Sequence, residues 1–381
     1  MAIGQVTIAK LDGNQGSFAE PERVFLFMGK SDLDGNTGYL LQIGNNSDLD
    51  KMLGPGESEL KKQVEAARLN AQSDNWVCYA YAVGKEAEWT TAYYLDILDD
   101  LLEKPYDVNI EAAVLCHPVS TKDEVNQASA AAAGALTKYA KFITVMLCTA
   151  GCGENESWAE LEQRNKTITA GAADERVCVV PLLHGNNLGV VCGRLCNPAV
   201  SIADSPMRVA TGAVKGLEIT DPADSQSAPL SMAVISALSA ARLSVPQWYQ
   251  GYQGVYWADH MTLAAEASDY QVWENLRVVD YCSRRIRILA IARIADRNLN
   301  NTPRSIAAAK TYFMRPLREA ARPVPMGSTE IAATIMPPED GDIGITWQSK
   351  THVVITVSAR PYHCPKKITA YIGLDLSNSE E

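Results

Sequence analysis

The sequence predicts a mixed α/β chain of more than one domain, built on a helix-flanked sheet with extended arms at its two ends. Three observations lead there. Between residues 108 and 183, strand-like apolar runs alternate with helical patterns, the signature of a sheet with helices packed on its faces. At 381 residues the chain exceeds one core, and about 150 residues per domain gives two or three. At the far end, Ile368, Ala370, Ile372, Leu374 and Leu376 alternate with Thr369, Tyr371, Gly373 and Asp375, the period of a half-buried strand that needs a sheet to join.

Taken in order, residues 1–22 alternate weakly and break at Asp12-Gly-Asn-Gln-Gly16, so they read as an N-terminal arm. Arg23–Gly29 is a buried strand closed by turn residues, Ser58–Ala71 an amphipathic helix, Trp76–Val83 a strand and Trp89–Leu102 a helix. The alternation then runs strand Val108–Cys116, an Ala-rich helix from Lys122 to Lys141, strand Phe142–Cys148, helix Glu156–Ala170 and strand Arg176–Leu183. Crossovers of this length permit parallel neighbours. Small residues fill Asp204–Leu217, and the polar stretch Thr220–Pro229 links them to a helix over Leu230–Leu243. A long helix is expected over Tyr270–Leu299, with Val272, Leu276, Val279, Cys282, Ile286 and Leu289 on one stripe. Asn300-Asn301-Thr302-Pro303 stops it and starts a second helix to Arg322, kinked at Pro316. A turn at Pro337–Ile343 precedes two terminal strands, His352–Pro361 and Lys367–Ser377.

Composition is that of a water-soluble globular chain, 47% apolar and 21% charged. A net charge of −11 argues against general nucleic-acid binding. Met1-Ala-Ile-Gly-Gln-Val lacks a basic leader region and a cleavage site, and no run reaches the 18 or so apolar residues of a membrane span, so synthesis and assembly in the cytoplasm are expected. The nine cysteines, an odd number lying mostly in apolar runs, read as reduced buried thiols.

Two features bear on association. Burying five apolar side chains of the last strand, at about 1.5–3 kcal/mol for each larger one, nearly cancels the ordering of some ten residues at about 1–2 kcal/mol each. Docked on its own domain it would be an ordinary last strand. Donated to a neighbouring copy, it would hold firmly only where several contacts form together. From Arg284 to Arg322 ten basic residues face two acidic ones, Asp296 and Glu319. Such a run is either a solvated pair of helix faces or a surface for an acidic partner or nucleic acid. Few aromatic residues interleave, which disfavours single-stranded nucleic acid.

Signs of enzymatic chemistry are few, with no phosphate-binding loop, G-x-S-x-G elbow or H-E-x-x-H. Cys116 and His117 are adjacent on a strand, where neighbouring side chains point to opposite faces. His184 follows a strand, at the ligand-binding edge of an α/β sheet or simply in a turn. Cys148/Cys152 and Cys192/Cys196, with His184 between, have zinc-like spacing but lie in strand-like surroundings without knuckle residues. No metal or cofactor is expected.

The second half resembles the tail sheath proteins of contractile-tailed phages, a family that includes pyocin-like particles and type VI secretion sheaths. Ala203–Leu217 is similar to the family's S-P-A-N-x-x-x-x-G-V-x-G-L run, and Tyr256-Trp-Ala-Asp-His-Met-Thr-Leu263 to its W-G-x-R-T-L, with His260-Met261 standing at the arginine. Glu274–Ile286 resembles the I-N-V-R-R-L helix, Arg297–Pro303 the segment after it, and the closing strands the C-terminal arm. The resemblance spans about residues 200–377, in matching order.

It implies a sheath-type fold and a structural, non-enzymatic subunit. Such subunits polymerise helically around a tail tube and contract to drive the tube through the host envelope, linked by strand exchange between arms. The implied partners are further copies, the tube protein, and baseplate and tail terminator proteins, with no nucleic acid or membrane. The implied place is the virion tail sheath, assembled in the host cytoplasm. The expected division is an arm over 1–22, a core of 23–100 with 201–365, an inserted α/β outer domain over 101–200, and an arm over 366–381. Ile368, Ala370, Ile372, Leu374 and Leu376, with Val6 and Ile8, would form the inter-subunit strands. Arg284, Arg285, Arg304, Lys310, Arg315 and Arg318 would face the tube. The alternatives are a cysteine-dependent α/β enzyme with Cys116 or His184 in a strand-end pocket, or another tail component such as a tube or baseplate protein.

Overall fold

The apolar runs of the first half become strands because their side chains are buried on both faces, as parallel sheets require. The computed structural model describes residues 21–103, 108–326 and 329–372. In it, β1 (Phe25–Lys30), β2 (Gly38–Gly44), β3 (Val77–Val83), β4 (Ala112–Pro118), β5 (Thr144–Thr149) and β6 (Val177–Pro181) form one sheet in the order β2-β3-β1-β4-β5-β6. The run from β3 to β6 is parallel, and β2 closes one edge antiparallel to β3.

Helices cover both faces. On one lie α1 (Leu49–Leu53), α2 (Glu59–Ala71) and α6 (Asn187–Cys196); on the other lie α3 (Thr91–Glu103), α4 (Lys122–Tyr139), α5 (Trp158–Thr169) and α7 (Met232–Ala240). Their starts are written locally. Ser58 caps α2, and Thr121 with Glu124 and Ser157 with Glu160 make reciprocal capping boxes on α4 and α5. Glycine sets the approach of α6 to α2: a Cβ on Gly189 or Gly193 would collide with the carbonyl oxygen of Gln63 or Ala67.

Strand β1 pairs with β3 on one edge and β4 on the other, with Phe25 opposite Ala112 and Leu26 opposite Tyr79, so strands from residues 23–100 and from residues 101–200 share one sheet. A buried central strand offers two hydrogen-bonding edges, and an alternation pattern does not say which strands take them. Strand β4 begins later than expected, at Ala112, although the Glu111 backbone still donates to Val24 O and accepts from Thr144 N, at 2.9 and 3.1 Å.

The later chain adds a hairpin of β7 (Pro246–Tyr249) and β8 (Tyr252–Trp257), then α8 (Trp273–Ile291), α9 (Pro303–Phe313) and α10 (Arg315–Ala320). Short strands β9 (Val324–Met326) and β10 (Thr329–Ile331) precede a hairpin of β11 (Ile343–Trp347) and β12 (Val353–Val357). The expected kink is a break at Met314, with Pro316 in the first turn of α10. Phe313, Leu317, Cys282, Leu289 and Ile343 close a separate core there.

Helix α8 joins this part to the sheet. Trp273, Arg277, Asp280 and Arg284, spaced four, three and four, fall on one face. Arg277 donates Nε and Nη2 to Glu111 Oε1 and Oε2 at 2.6 and 2.8 Å, with the two side chains only 1% and 3% exposed. Its guanidinium also lies 4.6 Å from the Trp273 ring centre, and Trp273 Nε1 donates to Thr144 Oγ1 at 2.8 Å. Arg176 makes a second two-bond pair to Asp280, at 2.8 and 2.7 Å. Removing one partner of a buried pair strands the other charge. Glu111→Ala is therefore expected to lower the unfolding free energy by about 3–5 kcal/mol, measured in urea; a loss under about 1 kcal/mol would show that the pair does not hold the joint.

Candidate assembly interface

The chain's last described part leaves two kinds of unpaired group side by side. Strands β11 and β12 pair from Ile343 opposite Val357 to Trp347 opposite Val353, and one face packs Ile345, Ile355 and Val357 on the core around Phe313. No third strand joins them among the described residues. A two-stranded sheet of this size is marginal alone and has two open edges.

Beyond β12 the chain is tethered and then released. Ser358 N donates to Asp342 O at 2.9 Å, and Arg360 pairs with Asp342 and Glu339 at 2.7 and 2.9 Å. Lys366 Nζ lies 2.8 Å from both Asp259 Oδ1 and Glu274 Oε1. Burial works against the Lys366 charge, but Glu274 and Asp259 outweigh it and hold the ammonium above its usual pKa. Burial pushes the Glu274 carboxyl up.

Past Lys366 the expected strand over 367–377 is absent from residues 367–372, which run without backbone pairing. Ile368, Tyr371 and Ile372 are 80%, 95% and 97% exposed, and Ala370 is exposed beside them. The alternating pattern is there, but a strand exists only where a partner supplies its hydrogen bonds. Leu374, Leu376, Val6 and Ile8 lie outside the described residues.

The basic run divides into two populations. Arg284 and Arg285 do not face outward: their guanidinium groups converge on Glu22 Oε1 at 2.9 and 3.2 Å, mostly shielded from solvent. A residue count along the helix could not see this partner, which is 262 positions away from Arg284. Arg304 and Lys310 on α9, and Arg315 and Arg318 on α10, are exposed and have no ion-pair partner among the described residues. They stand in the more basic part of the chain: residues 269–381 hold 15 Lys and Arg against 12 Asp and Glu, whereas residues 1–268 hold 19 against 33.

The motifs of the second half turn out to be packing devices. Arg194 is buried with no carboxylate partner among the described residues and donates to the carbonyls of Pro206, Arg208 and Gly212 and to Thr211 Oγ1 at 2.9–3.2 Å, which shapes the 206–212 loop. Burial brings its pKa down to about 10. The Asn70 amide bonds both backbone groups of Lys215 at 2.9 Å. His260 is fully buried between Ser244, 2.7 Å away, and the edge of Trp273. Burial, and then Arg277, push its pKa down to about 3, so this imidazole is neutral.

The residues of the enzymatic alternative are not brought together. Cys116 is 1% exposed, and burial raises its thiol well above the ordinary value. Cys116 lies in β4 and His184 past the end of β6, with β5 between the two strands. His184 Nδ1 sits 2.6 Å from Ile219 O, with its pKa lowered chiefly by burial. The zinc-like cysteines point to separate neighbours: Cys148 to Leu115 O, Cys152 to Glu156 O, Cys192 to Met146 Sδ and Cys196 to Arg23 O. No group of three His, Cys, Asp or Glu among the described residues could hold a metal, and no helix among them is long and apolar enough to cross a membrane.

The helix-flanked sheet joined to a helical part has the fold of sheath-type tail proteins. The structure is similar to a chain of the anti-feeding prophage baseplate, with TM-score 0.58 and 12% identity over 99% of this chain and 100% of that one. It is also similar to the sheath tail protein Lin1278 from Listeria innocua, with TM-score 0.55 and 10% identity over 91% and 94%. The chain belongs to the DUF2586 family, whose N-terminal domain matches residues 3–261 and whose C-terminal domain matches 269–377. A provisionally named tail sheath protein of Haemophilus phage HP1 (strain HP1c1) is 38% identical to it over 382 residues, 99% of both chains. Its role is structural, in a tail sheath.

The Glu22 cluster makes a pH prediction. Burial raises this carboxyl, but Arg284 and then Arg285 outweigh it and leave its pKa below the usual carboxylate value. Its stabilisation is present above the unfolded value near 4.5 and is lost as pH falls through the lower folded one. Between pH 6 and pH 3, about the range spanning a depressed carboxylate, Tm is expected to fall more steeply for the natural chain than for Glu22→Gln. Parallel slopes would remove Glu22 from the account.

Proposed function

We propose that copies of this chain polymerise helically around a tail tube and contract to drive the tube through a host envelope. The observation that carries this reading is the exposed alternating arm from Ile368 to Ile372 beside a two-stranded hairpin whose edges are open. Head-to-tail contacts that do not close produce a helical filament. An arm from one copy added to the hairpin of another links rigid bodies that can still rotate. Ile368, Ala370, Ile372, Leu374 and Leu376 form the donated face, and Val6 and Ile8 add a second strand from the other end. Contraction needs no nucleotide, because a metastable extended lattice relaxing to one with more buried surface supplies the energy.

The subunit is not an enzyme in this reading, which the burial of Cys116 and the separation of His184 support. It is assembled in the host cytoplasm and takes its place in the virion with tube, baseplate and tail terminator proteins. Arg304, Lys310, Arg315 and Arg318 face acidic groups of the tube.

Two measurements test this. Negative-stain electron microscopy of the full chain is expected to show hollow striated tubes, and a chain ending at Lys366 only small particles; small particles from both would sink the sheath reading. Arg315→Glu with Arg318→Glu is expected to weaken tube binding at least tenfold, in a co-sedimentation assay at low salt. Unchanged binding would move the tube contact elsewhere.

A further inference from the structure

We propose that Lys366 is a clamp fixing the root of the C-terminal arm to its own subunit, so that the copy accepting the arm presents its β11–β12 hairpin directly against that clamp. This rests on the sheath reading above.

The clamp is built from three separate stretches of chain. Lys366 comes from the arm, Asp259 follows β8, and Glu274 lies in the first turn of α8. The Ser205 hydroxyl donates to Asp259 Oδ1 at 2.7 Å and holds that carboxylate in place. Glu274 is buried, and its second oxygen, Oε2, has no hydrogen-bond partner. A buried carboxylate in that condition depends on its cation, and losing the lysine would leave it uncompensated. Arm residues Pro361, Tyr362 and Cys364 wall one side of a groove of about 430 Å³, with Tyr270, Asn275 and Val278 on the other.

The position of the clamp limits where a neighbour can sit. The alternating face begins at Ile368, two residues past Lys366. At about 3.3 Å per extended residue the free tether reaches about 7 Å. An acceptor edge must therefore lie at the mouth of this groove. Charge favours the same placement. Glu266 and Asp269 are exposed on the body side, and Lys350 and His352 are exposed at the hairpin turn that a second copy would bring. The arm's own hairpin is the competing acceptor, and no described residue of the arm pairs with it.

Cys364 is exposed and stands two residues before the clamp, so it serves as the reporter. One chain keeps Cys364. A second carries Cys364→Ser with either Thr351→Cys at the hairpin turn or Ser358→Cys at its open end. The two are co-assembled, and tubes are treated with a short bis-maleimide. A covalent dimer from at least one position is expected in tubes and not in unassembled chains. With Lys366→Met in the Cys364 chain, at a temperature where that chain is still folded, its yield should fall at least fivefold, and Lys366→Arg should restore it. Tubes without dimers from either position overturn the proposal, as does a cross-link formed inside a single chain carrying both cysteines. An absence of tubes counts instead against the sheath reading itself, and takes the clamp with it.

Discussion

The buried pair between Arg277 and Glu111 is the constraint on which the rest of the molecule depends. Glu111 stands just before β4, at the start of the central strands, and Arg277 is one turn into α8. Removing two charges from water is costly, and their mutual attraction repays it only in good geometry. That asymmetry makes such a pair a poor source of net stability and a strong specifier of one arrangement. A displaced α8 would leave a guanidinium and a carboxylate buried without partners. The Arg176–Asp280 pair and the Trp273–Thr144 bond repeat the constraint along the same helix face.

Helix α8 also holds a residue near each end of the described chain. Glu22, where the N-terminal stretch meets the body, is held by Arg284 and Arg285, and Lys366, where the C-terminal arm leaves it, is held by Glu274. Ten residues of helix separate the two, about 15 Å at 1.5 Å per residue. Arms used to link subunits are most effective when their origins are stiff, because slack at the origin lowers the effective concentration of each strand at its acceptor. Arginines that look like a binding surface in the sequence are, at these two positions, the ion-pair partners of Glu22.

Much of the architecture was legible before the structure. Most helices and strands of the first 200 residues were, because caps such as Ser58, Thr121 and Ser157 and two-sided apolar runs are local signals. Strand β2 and the β7–β8 hairpin were not. The burial of β2 is irregular, and the Tyr-Gln-Gly run of β7–β8 exposes Tyr249 and Tyr252, so neither shows a clear hydrophobic period. The long helix expected to Leu299 ends at Ile291, where Ala295 soon takes a left-handed backbone. The ion pairs were invisible, since Glu111 and Arg277 lie 166 positions apart. A trace of them was present in the charged residues that interrupt the apolar stripe of α8 at Arg277, Asp280 and Arg284.

The sequence by itself determined the helix-flanked α/β sheet, the alternating face of the arm and, through the order of its motifs, the sheath-type fold. These are written in local periodicity and in residue order, which do not depend on what the chain folds against. Tertiary structure alone decided that β1 unites the two halves of the sheet and that Arg284 and Arg285 are interior while Arg315 and Arg318 are not. It also decided that Lys366 pairs with Asp259 and Glu274 and that residues 367–372 run without backbone pairing. Each of these turns on which distant group satisfies a hydrogen bond or a buried charge, and that is settled only when the partners meet in space.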